Sequence, residues 1–295
     1  METKGEKPQE SSKKRKRKEV AIFGNYRHYY GYRITKDMNQ DPRFKVFKKE
    51  WFEDKDCLDI GCNQGLITIE IAKSFCCRSI IGIDIDYSLI ESACWNLKRL
   101  SKNDTAISSP SNASESVLSD RANDLLEHSV PVSLNNDTEI VRNNLLDRVT
   151  FRKENIVEKV CRDTEKYDTI LCLSVTKWIH LNWGDDGLIT LFANIWQLLR
   201  PGGILIVEPQ PWKSYKKNYL VSEMMSSLSD ILMTSVQVFH VLQTATLNYN
   251  NILIPPCLFQ EILIDKIGFR TVENITSNIP GSVIGFDRPI FLFRK

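Results

Sequence analysis

A glycine-rich stretch near residue 60 has the residue types that bind a nucleoside. Leu58-Asp-Ile-Gly-Cys-Asn-Gln-Gly65 follows a short apolar segment and precedes a helical pattern, which predicts a turn between a strand and a helix. Glycine at such a turn lets a ligand approach the backbone closely. The pattern Gly61-x-Asn63-x-Gly65 differs from the three-glycine motif of dinucleotide enzymes. It favours S-adenosylmethionine over NAD because no pyrophosphate need bind the helix, although a generic strand-to-helix turn is the structural alternative.

An acidic residue lies at the spacing expected of a nucleoside site. Asp84 ends the next strand pattern, about 20 residues beyond the glycine turn, where a carboxylate can accept hydrogen bonds from both ribose hydroxyls. Asp86 is interpreted instead as an N-terminal residue of the following helix. The turn and the acid together predict a nucleoside-binding site.

Polar and aromatic residues are concentrated after the fourth predicted strand, in Leu173-Ser-Val-Thr-Lys-Trp-Ile-His-Leu-Asn-Trp-Gly184. This segment falls at the carboxyl edge of the sheet, where open α/β sheets bind ligands. It lacks the Asn-Pro-Pro-Tyr motif that amine-methylating enzymes of nucleic acids often have here. Lys177 offers a mobile positive charge suited to phosphate, or it is a solvated lysine at a helix start. For Trp178 and Trp183, each taken alone, core packing is the favoured interpretation.

An aromatic and basic segment precedes these motifs, Phe23-Gly-Asn-Tyr-Arg-His-Tyr-Tyr-Gly-Tyr-Arg33. Tyrosine alternating with arginine and histidine suits base stacking and phosphate binding. Composition alone also permits an amphipathic cap over the edge of the sheet. Glu208-Pro-Gln-Pro-Trp212, after the fifth predicted strand, could line the same cleft or form a rigid turn.

The elements that carry these motifs alternate between strand and helix, which predicts one mostly parallel α/β sheet with right-handed crossovers. Strands are predicted at 56–60, 79–84, 149–153, 167–174 and 204–208, and an antiparallel pair near 269–274 and 289–294 completes seven. Helices are predicted at 66–75, 87–100, 187–199 and 259–267. Residues 101–146, rich in Ser, Asn and Asp, are predicted to be a loop or a disordered insertion, and 222–256 has no firm assignment.

Composition limits the class of protein. The 295 residues are 42% hydrophobic and 26% charged, with a net charge of +2, as in an ordinary soluble domain. No apolar run is long enough for a membrane helix, and the N-terminus lacks the apolar core of a secretory signal. The cysteines include no CxxC pair, so no metal site is predicted, and reduced thiols are expected. Residues 1–20 form a basic tail predicted to be disordered, and its run at 13–18 suits nuclear import or phosphate attraction.

Together these segments resemble the RNA methylphosphate capping enzyme family, also called the bicoid-interacting methyltransferase family, and plant members in particular. The resemblance spans most of residues 21–295. The matching segments are FGNYRHYYGYR, DPRFKVFKKEWF, LDIGCNQG, IGIDID, LCLSVTKWIHLNWGDDG, LLRPGGILIVEPQPW and IGFDRPIFLFRK. The string that contains Lys177 is very specific to the family.

The resemblance implies a single Rossmann-like domain over residues 21–295, a class I S-adenosylmethionine-dependent methyltransferase. Family members methylate the γ-phosphate of 5′-triphosphate small noncoding RNAs made by RNA polymerase III. A nuclear monomer, with the cytoplasm as a second location, is therefore expected. Its partners are expected to be the RNA 5′ end and ribonucleoprotein components, without a membrane.

The resemblance also assigns site residues by matching position. Contacts to S-adenosylmethionine are expected from Tyr30, Arg43, Gly61, Cys62, Asn63, Asp84, Ile85, Asn155, Ile156 and Leu173. Tyr29, Arg33 and Lys177 are expected to face the RNA phosphate as the catalytic set. Some relatives have an aromatic residue at the position of Ile156, so only a backbone contact is expected there.

Three other functions remain open. The chain could be a 5′-monophosphate RNA methyltransferase or a non-catalytic RNA-binding scaffold. The scaffold is suggested by residues 224–242, which look extra, and by 248–259, which carry no basic residue where family members usually do. A small-molecule O-methyltransferase would explain the cofactor site but not the aromatic and basic segment.

Overall fold

Seven strands form one sheet in the computed structural model, which describes residues 21–26, 41–107, 144–158, 164–216, 236–277 and 288–295. The strands are β1 (Asp56–Ile60), β2 (Ser79–Asp84), β3 (Val149–Lys153), β4 (Tyr167–Leu173), β5 (Leu199–Glu208), β6 (Thr271–Asn274) and β7 (Phe291–Arg294). Their order is β3-β2-β1-β4-β5-β7-β6. Strands β1 to β5 pair in parallel, whereas β7 is antiparallel to β5 and β6. The predicted mostly parallel sheet is confirmed.

Among the described residues, the longer helices are α1 (Leu66–Phe75), α2 (Tyr87–Ile107), α3 (Thr176–Leu198) and α4 (Val236–Asn251). Short helical turns lie at Pro42–Lys45, Lys49–Trp51, Leu145–Arg148, Pro256–Leu258, Phe259–Glu261 and Ile262–Ile267, the last of these π-helical. None of the helices in the described ranges is both long and apolar enough to cross a membrane.

Several predicted bounds match the structure, but the edges of the insertion differ. α1, β2 and β3 have the predicted limits. α2 runs on to Ile107, into the segment predicted to be a loop from residue 101, and the turn Leu145–Arg148 enters that segment from its other end. Extending an existing helix is easier than starting one, so polar residues can continue it. Residues 108–143 and the tail at 1–20 lie outside the described residues.

The helix after β4 begins earlier than predicted. α3 starts at Thr176 rather than at residue 187, and Gly184 interrupts it with φ 64° and ψ −164°. This kink breaks the helical periodicity, which explains why the first half was not recognised in the sequence. β5 also starts early, at Leu199, and its pairing with β4 is irregular before residue 204. The unassigned region contains α4, whose Asn248 Nδ2 donates to the carbonyl of Leu181 in α3 at 2.9 Å.

Apolar side chains pack against both faces of the sheet. Successive residues of β1 alternate between the two layers, with Cys57 in one cluster and Leu58 in the other, as the period of a strand requires. In the first layer, Phe52 stacks on Phe75 with ring centroids 5.0 Å apart. In the second layer, the Phe192 ring of α3 meets Phe259. The two layers fix β1, and with it the end of the strand that leads into the glycine turn.

Replacing Phe52 by alanine should lower the free energy of unfolding by about 3–5 kcal/mol, because the fully buried ring would leave a cavity. Urea denaturation measures this change. The control Leu247→Ala removes a side chain that is 55% exposed and should cost less than about 0.5 kcal/mol. Equal stability of the two variants would show that the aromatic stack does not support the fold.

Candidate functional site

A pocket opens where the carboxyl ends of β1, β2 and β4 meet at one edge of the sheet. It contains about 900 Å³ of empty space, part of it open to solvent. The pocket lies where the sequence predicted ligand binding. Eight of the residues predicted to contact the cofactor line it, namely Arg43, Gly61, Asn63, Asp84, Ile85, Asn155, Ile156 and Leu173.

The glycine turn forms the floor of this pocket and needs its residue types. Gly61 has φ 72°, and a Cβ there would lie 2.3 Å from Val175 Cγ2, in the turn after β4. Asn63 has φ 52°, the left-handed conformation that asparagine tolerates better than most residues. The backbone therefore bends sharply between β1 and α1 and leaves the space in front of it to a ligand.

Asp84 is oriented by two backbone groups at the end of β2. Its Oδ2 accepts from the Asn63 amide at 2.9 Å, and its Oδ1 accepts from the Asp86 amide at 3.0 Å. Burial raises the pKa of Asp84, although these hydrogen bonds oppose the shift. Asp86 accepts from the backbone amide of Ser88 at 2.8 Å in the first turn of α2, which confirms its predicted place at a helix N-terminus.

A buried ion-pair network lies beside the pocket. Arg43 donates from Nη2 to Asp41 at 2.8 Å and from Nη1 to Glu208 at 3.2 Å, and all three side chains are almost fully buried. Asp59, which also lines the pocket, accepts from the Thr68 hydroxyl at 2.6 Å. Burial raises the pKa of Asp59 to about 6, while Thr68 and Arg43 act against that rise. Arg43 is thus fixed by carboxylates before any ligand binds.

Residues 21–26 form a strap along the pocket, and two tryptophans hold it. Phe23 stacks on Trp183 with centroids 5.9 Å apart, and Tyr26 meets Trp178 edge-on at 5.7 Å. Gly24, with φ 72°, packs so closely that a Cβ would lie 2.1 Å from the Trp178 Nε1. Both tryptophans line the pocket. Trp183 also packs against the second apolar layer, as the core-packing interpretation predicted, whereas Trp178 is half-buried and contacts the strap. The sequence shows two aromatic segments, one at 23–33 and one at 173–184. Their contact with each other is visible only in the folded structure.

Gln210 was not singled out in the sequence, yet it holds the turn after β4. Its Oε1 accepts from the Lys177 amide at 3.1 Å and from the Thr176 hydroxyl at 3.2 Å, and its Nε2 donates to the Ser174 carbonyl. Ser174 needs this support because its φ is 64°, a strained value for a residue with a side chain. The segment at 208–212 is therefore a rigid turn that braces the pocket wall.

Lys177 lies beside the pocket but is not one of its lining residues. Its side chain is buried, and its Nζ lies 4.2 Å from the centroid of the Trp178 ring, a cation–π contact. Cys62 does not line the pocket either, since it is 1% exposed and its Sγ faces the Asn63 carbonyl. Tyr29, Tyr30 and Arg33 lie outside the described residues.

The pocket residues fit S-adenosylmethionine, a nucleoside that carries a sulfonium and an ammonium group. Asp59, Asp84 and Glu154 supply negative charge around the pocket. The side-chain oxygen of Asn63 is buried and has no hydrogen-bond partner among the residues that the structure describes. A ligand with hydroxyl or amino hydrogens would provide that partner, which a buried acceptor requires.

The affinity for S-adenosylmethionine should rise with pH between about pH 5 and 7, by up to about tenfold. The free protein holds a proton on Asp59 below its pKa of about 6, and a cationic ligand favours the carboxylate. Binding must then release that proton, which weakens it at low pH. Calorimetry at pH 5 and pH 7.5 measures the difference, and Asp59→Asn should flatten it. An unchanged pH profile in Asp59→Asn would assign the titration to another group, Asp84 first.

Two family models match the chain. The model described as bicoid-interacting protein 3 (Bin3) matches residues 167–295, and the model described as a methyltransferase domain matches residues 26–230.

Three relatives match nearly the whole chain. A probable RNA methyltransferase of Arabidopsis thaliana is 52% identical over 96% of this chain and 83% of its own length. The 7SK snRNA methylphosphate capping enzyme of Homo sapiens is 34% identical over 92% of this chain, which spans only 39% of that protein. The U6 snRNA methylphosphate capping enzyme Amus of Drosophila melanogaster is 33% identical over 92% of this chain and 74% of its own length. The chain belongs to the bicoid-interacting protein 3 family and is an S-adenosylmethionine-dependent methyltransferase.

Proposed function

We propose that this methyltransferase acts on RNA and methylates the γ-phosphate at a 5′-triphosphate end of a small noncoding RNA. The observation that carries the proposal is the buried Lys177 beside the donor pocket, with its ammonium over the ring of Trp178. A lysine there can hold a phosphate next to the methyl group, and the names of the human and Drosophila relatives support an snRNA 5′ end as substrate. We place the enzyme in the nucleus on the same grounds.

Methyl transfer to a phosphate requires the protein to position the two reactants but does not require a general base. S-adenosylmethionine, when bound, supplies an electrophilic methyl group on sulfur. A phosphate oxygen is already an anion and needs no deprotonation, so holding it in line with that methyl group is the main task. We assign the ribose to Asp84 and the triphosphate to Lys177, with Tyr29 and Arg33 completing the phosphate site. The other predicted cofactor residues surround the donor.

Lys177 also has to balance two demands. It must offset the charge of the triphosphate, because several anionic oxygens would otherwise repel one another and the acidic pocket wall. A site with too many cations would stabilise the ground state and make the attacking oxygen less nucleophilic. The bracing of the Lys177 backbone by Gln210 limits the movement of the helix start that carries this charge.

Replacing Lys177 by alanine should reduce methyl transfer to triphosphate RNA by about 100-fold or more, since one preorganised charged donor is lost. Binding of S-adenosylhomocysteine should stay within about twofold, because Lys177 does not line the donor pocket. Transfer of labelled methyl groups and calorimetry measure the two quantities. Lys213→Ala, at an exposed lysine just after the 208–212 turn, is the control and should keep full activity. Normal transfer by Lys177→Ala would exclude the proposed role.

The phosphate preference is tested with three RNAs of one sequence that end in a 5′ triphosphate, monophosphate or hydroxyl. Each is incubated with methyl-labelled donor and then digested to locate the label. We expect label on the γ-phosphate of the triphosphate RNA. Label on the monophosphate RNA instead would assign the enzyme to the monophosphate class. RNA and donor binding without any methyl transfer would indicate a scaffold.

A further inference from the structure

We propose that Asn25 binds the cofactor. Its side-chain oxygen accepts a hydrogen bond from the nucleoside half of S-adenosylmethionine, and the strap at residues 21–26 is a wall of the donor site. Asn25 was not among the residues expected to contact the cofactor. The inference rests on methyl-donor binding but not on which RNA is methylated.

The Asn25 side chain is held in one orientation beside the acid turn. Its Nδ2 donates to Asp86 Oδ2 at 2.6 Å, and the residue lines the pocket together with Asp84. A carboxylate can only accept, so the nitrogen must face Asp86 and the oxygen must point away from it. The amide is therefore not free to turn its oxygen toward Asp86.

Asn63 is fixed in the same way from the opposite segment. Its Nδ2 donates to the carbonyl of Tyr26, in the strap, at 3.2 Å. Within the described ranges, the side-chain amide oxygens that are buried without a hydrogen-bond partner belong to Asn25 and Asn63, and both residues line this pocket. Native proteins contain few such groups, and two in one pocket point to a ligand that donates hydrogen bonds.

The position of Asn25 identifies the part of the cofactor that it meets. The backbone amide of Asp86, the partner of Asn25, donates to Asp84 Oδ1. Asn25 is therefore connected to the proposed ribose acceptor through one intervening residue, Asp86. The ribose hydroxyls and the amino group of the base are the hydrogen-bond donors of the nucleoside half. The methionyl ammonium also donates hydrogen bonds, but the proximity of Asn25 to Asp84 favours the nucleoside half.

The strap is held against the pocket by close contacts. Gly24 has a positive φ and packs against the Trp178 ring, and Asn182 Nδ2 donates to the carbonyl of Ile22 at 3.2 Å. On the other side of Asn25, Tyr26 meets the Trp178 ring and its carbonyl accepts from Asn63, so the strap is fixed on both sides of Asn25. The competing explanation is that Asn25 only supports the start of α2 through Asp86.

Calorimetry with S-adenosylhomocysteine in the absence of RNA tests the proposal. Asn25→Ala should weaken binding about fivefold to tenfold, the loss expected for one hydrogen bond, while the melting temperature of the ligand-free protein stays within about 2 °C. Asn25→Ser keeps a short hydroxyl and should show a smaller loss of affinity. It provides a second measurement if the alanine variant folds poorly. Unchanged affinity in both variants would leave Asn25 as a structural residue and overturn the inference.

Asn182→Ala is the matched control, because it removes a tether of the strap from a residue that does not line the pocket. Its affinity for S-adenosylhomocysteine should change by less than about twofold. A loss equal to that of Asn25→Ala would trace the effect to the placement of the strap and overturn the direct contact. A wild-type protein that binds S-adenosylhomocysteine but methylates no RNA would contradict the proposed function alone.

Discussion

The hydrogen bonds accepted by Asp84 hold the donor site together. One oxygen binds the amide of Asn63 in the glycine turn, and the other binds the amide of Asp86 at the start of α2. Through these two residues the strap is also attached, since Asn63 reaches Tyr26 and Asp86 reaches Asn25. A single buried carboxylate thus links three segments that are far apart in the chain. Backbone amides orient the carboxylate of Asp84 without a ligand. The pocket is therefore preorganised.

The charges of the site suit two different ligands, a cationic sulfonium donor and an anionic phosphate. The pocket wall carries Asp59 and Asp84, which suit a sulfonium donor. Lys177 does not line the pocket, and its ammonium lies over the Trp178 ring, where it suits a phosphate. Arg43 does not compete for the phosphate, because Asp41 and Glu208 already pair with it. Burying a charge costs free energy unless the charge is paired. The two ion pairs therefore stabilise the buried Arg43 beside the pocket.

A chain of hydrogen bonds connects Lys177's helix to the segment that leaves α4. His180 is fully buried, with its Nε2 2.6 Å from Asp185 Oδ1, and its Nδ1 faces the Tyr215 hydroxyl at 3.4 Å. Burial lowers the pKa of His180, although Asp185 opposes that shift. Asp185 also accepts from the backbone of Leu253 at 2.8 Å. These contacts place the first half of α3 in a fixed position, as a site built for in-line transfer requires.

The sequence by itself determined most strand positions, the glycine turn and the place of Asp84 at the end of β2, because these depend on local periodicity and on residue types at short spacing. It also indicated the family. The role of Lys177 in phosphate binding stays a prediction. Only the tertiary structure decided that Trp178 and Asn25 line the pocket, that Cys62 does not, and that Gln210 braces the turn after β4. Asn25 meets Asp86 across 61 residues, and Gln210 meets Thr176 across 34. Contacts at such separations depend on how whole elements pack, and no local pattern in the chain records them.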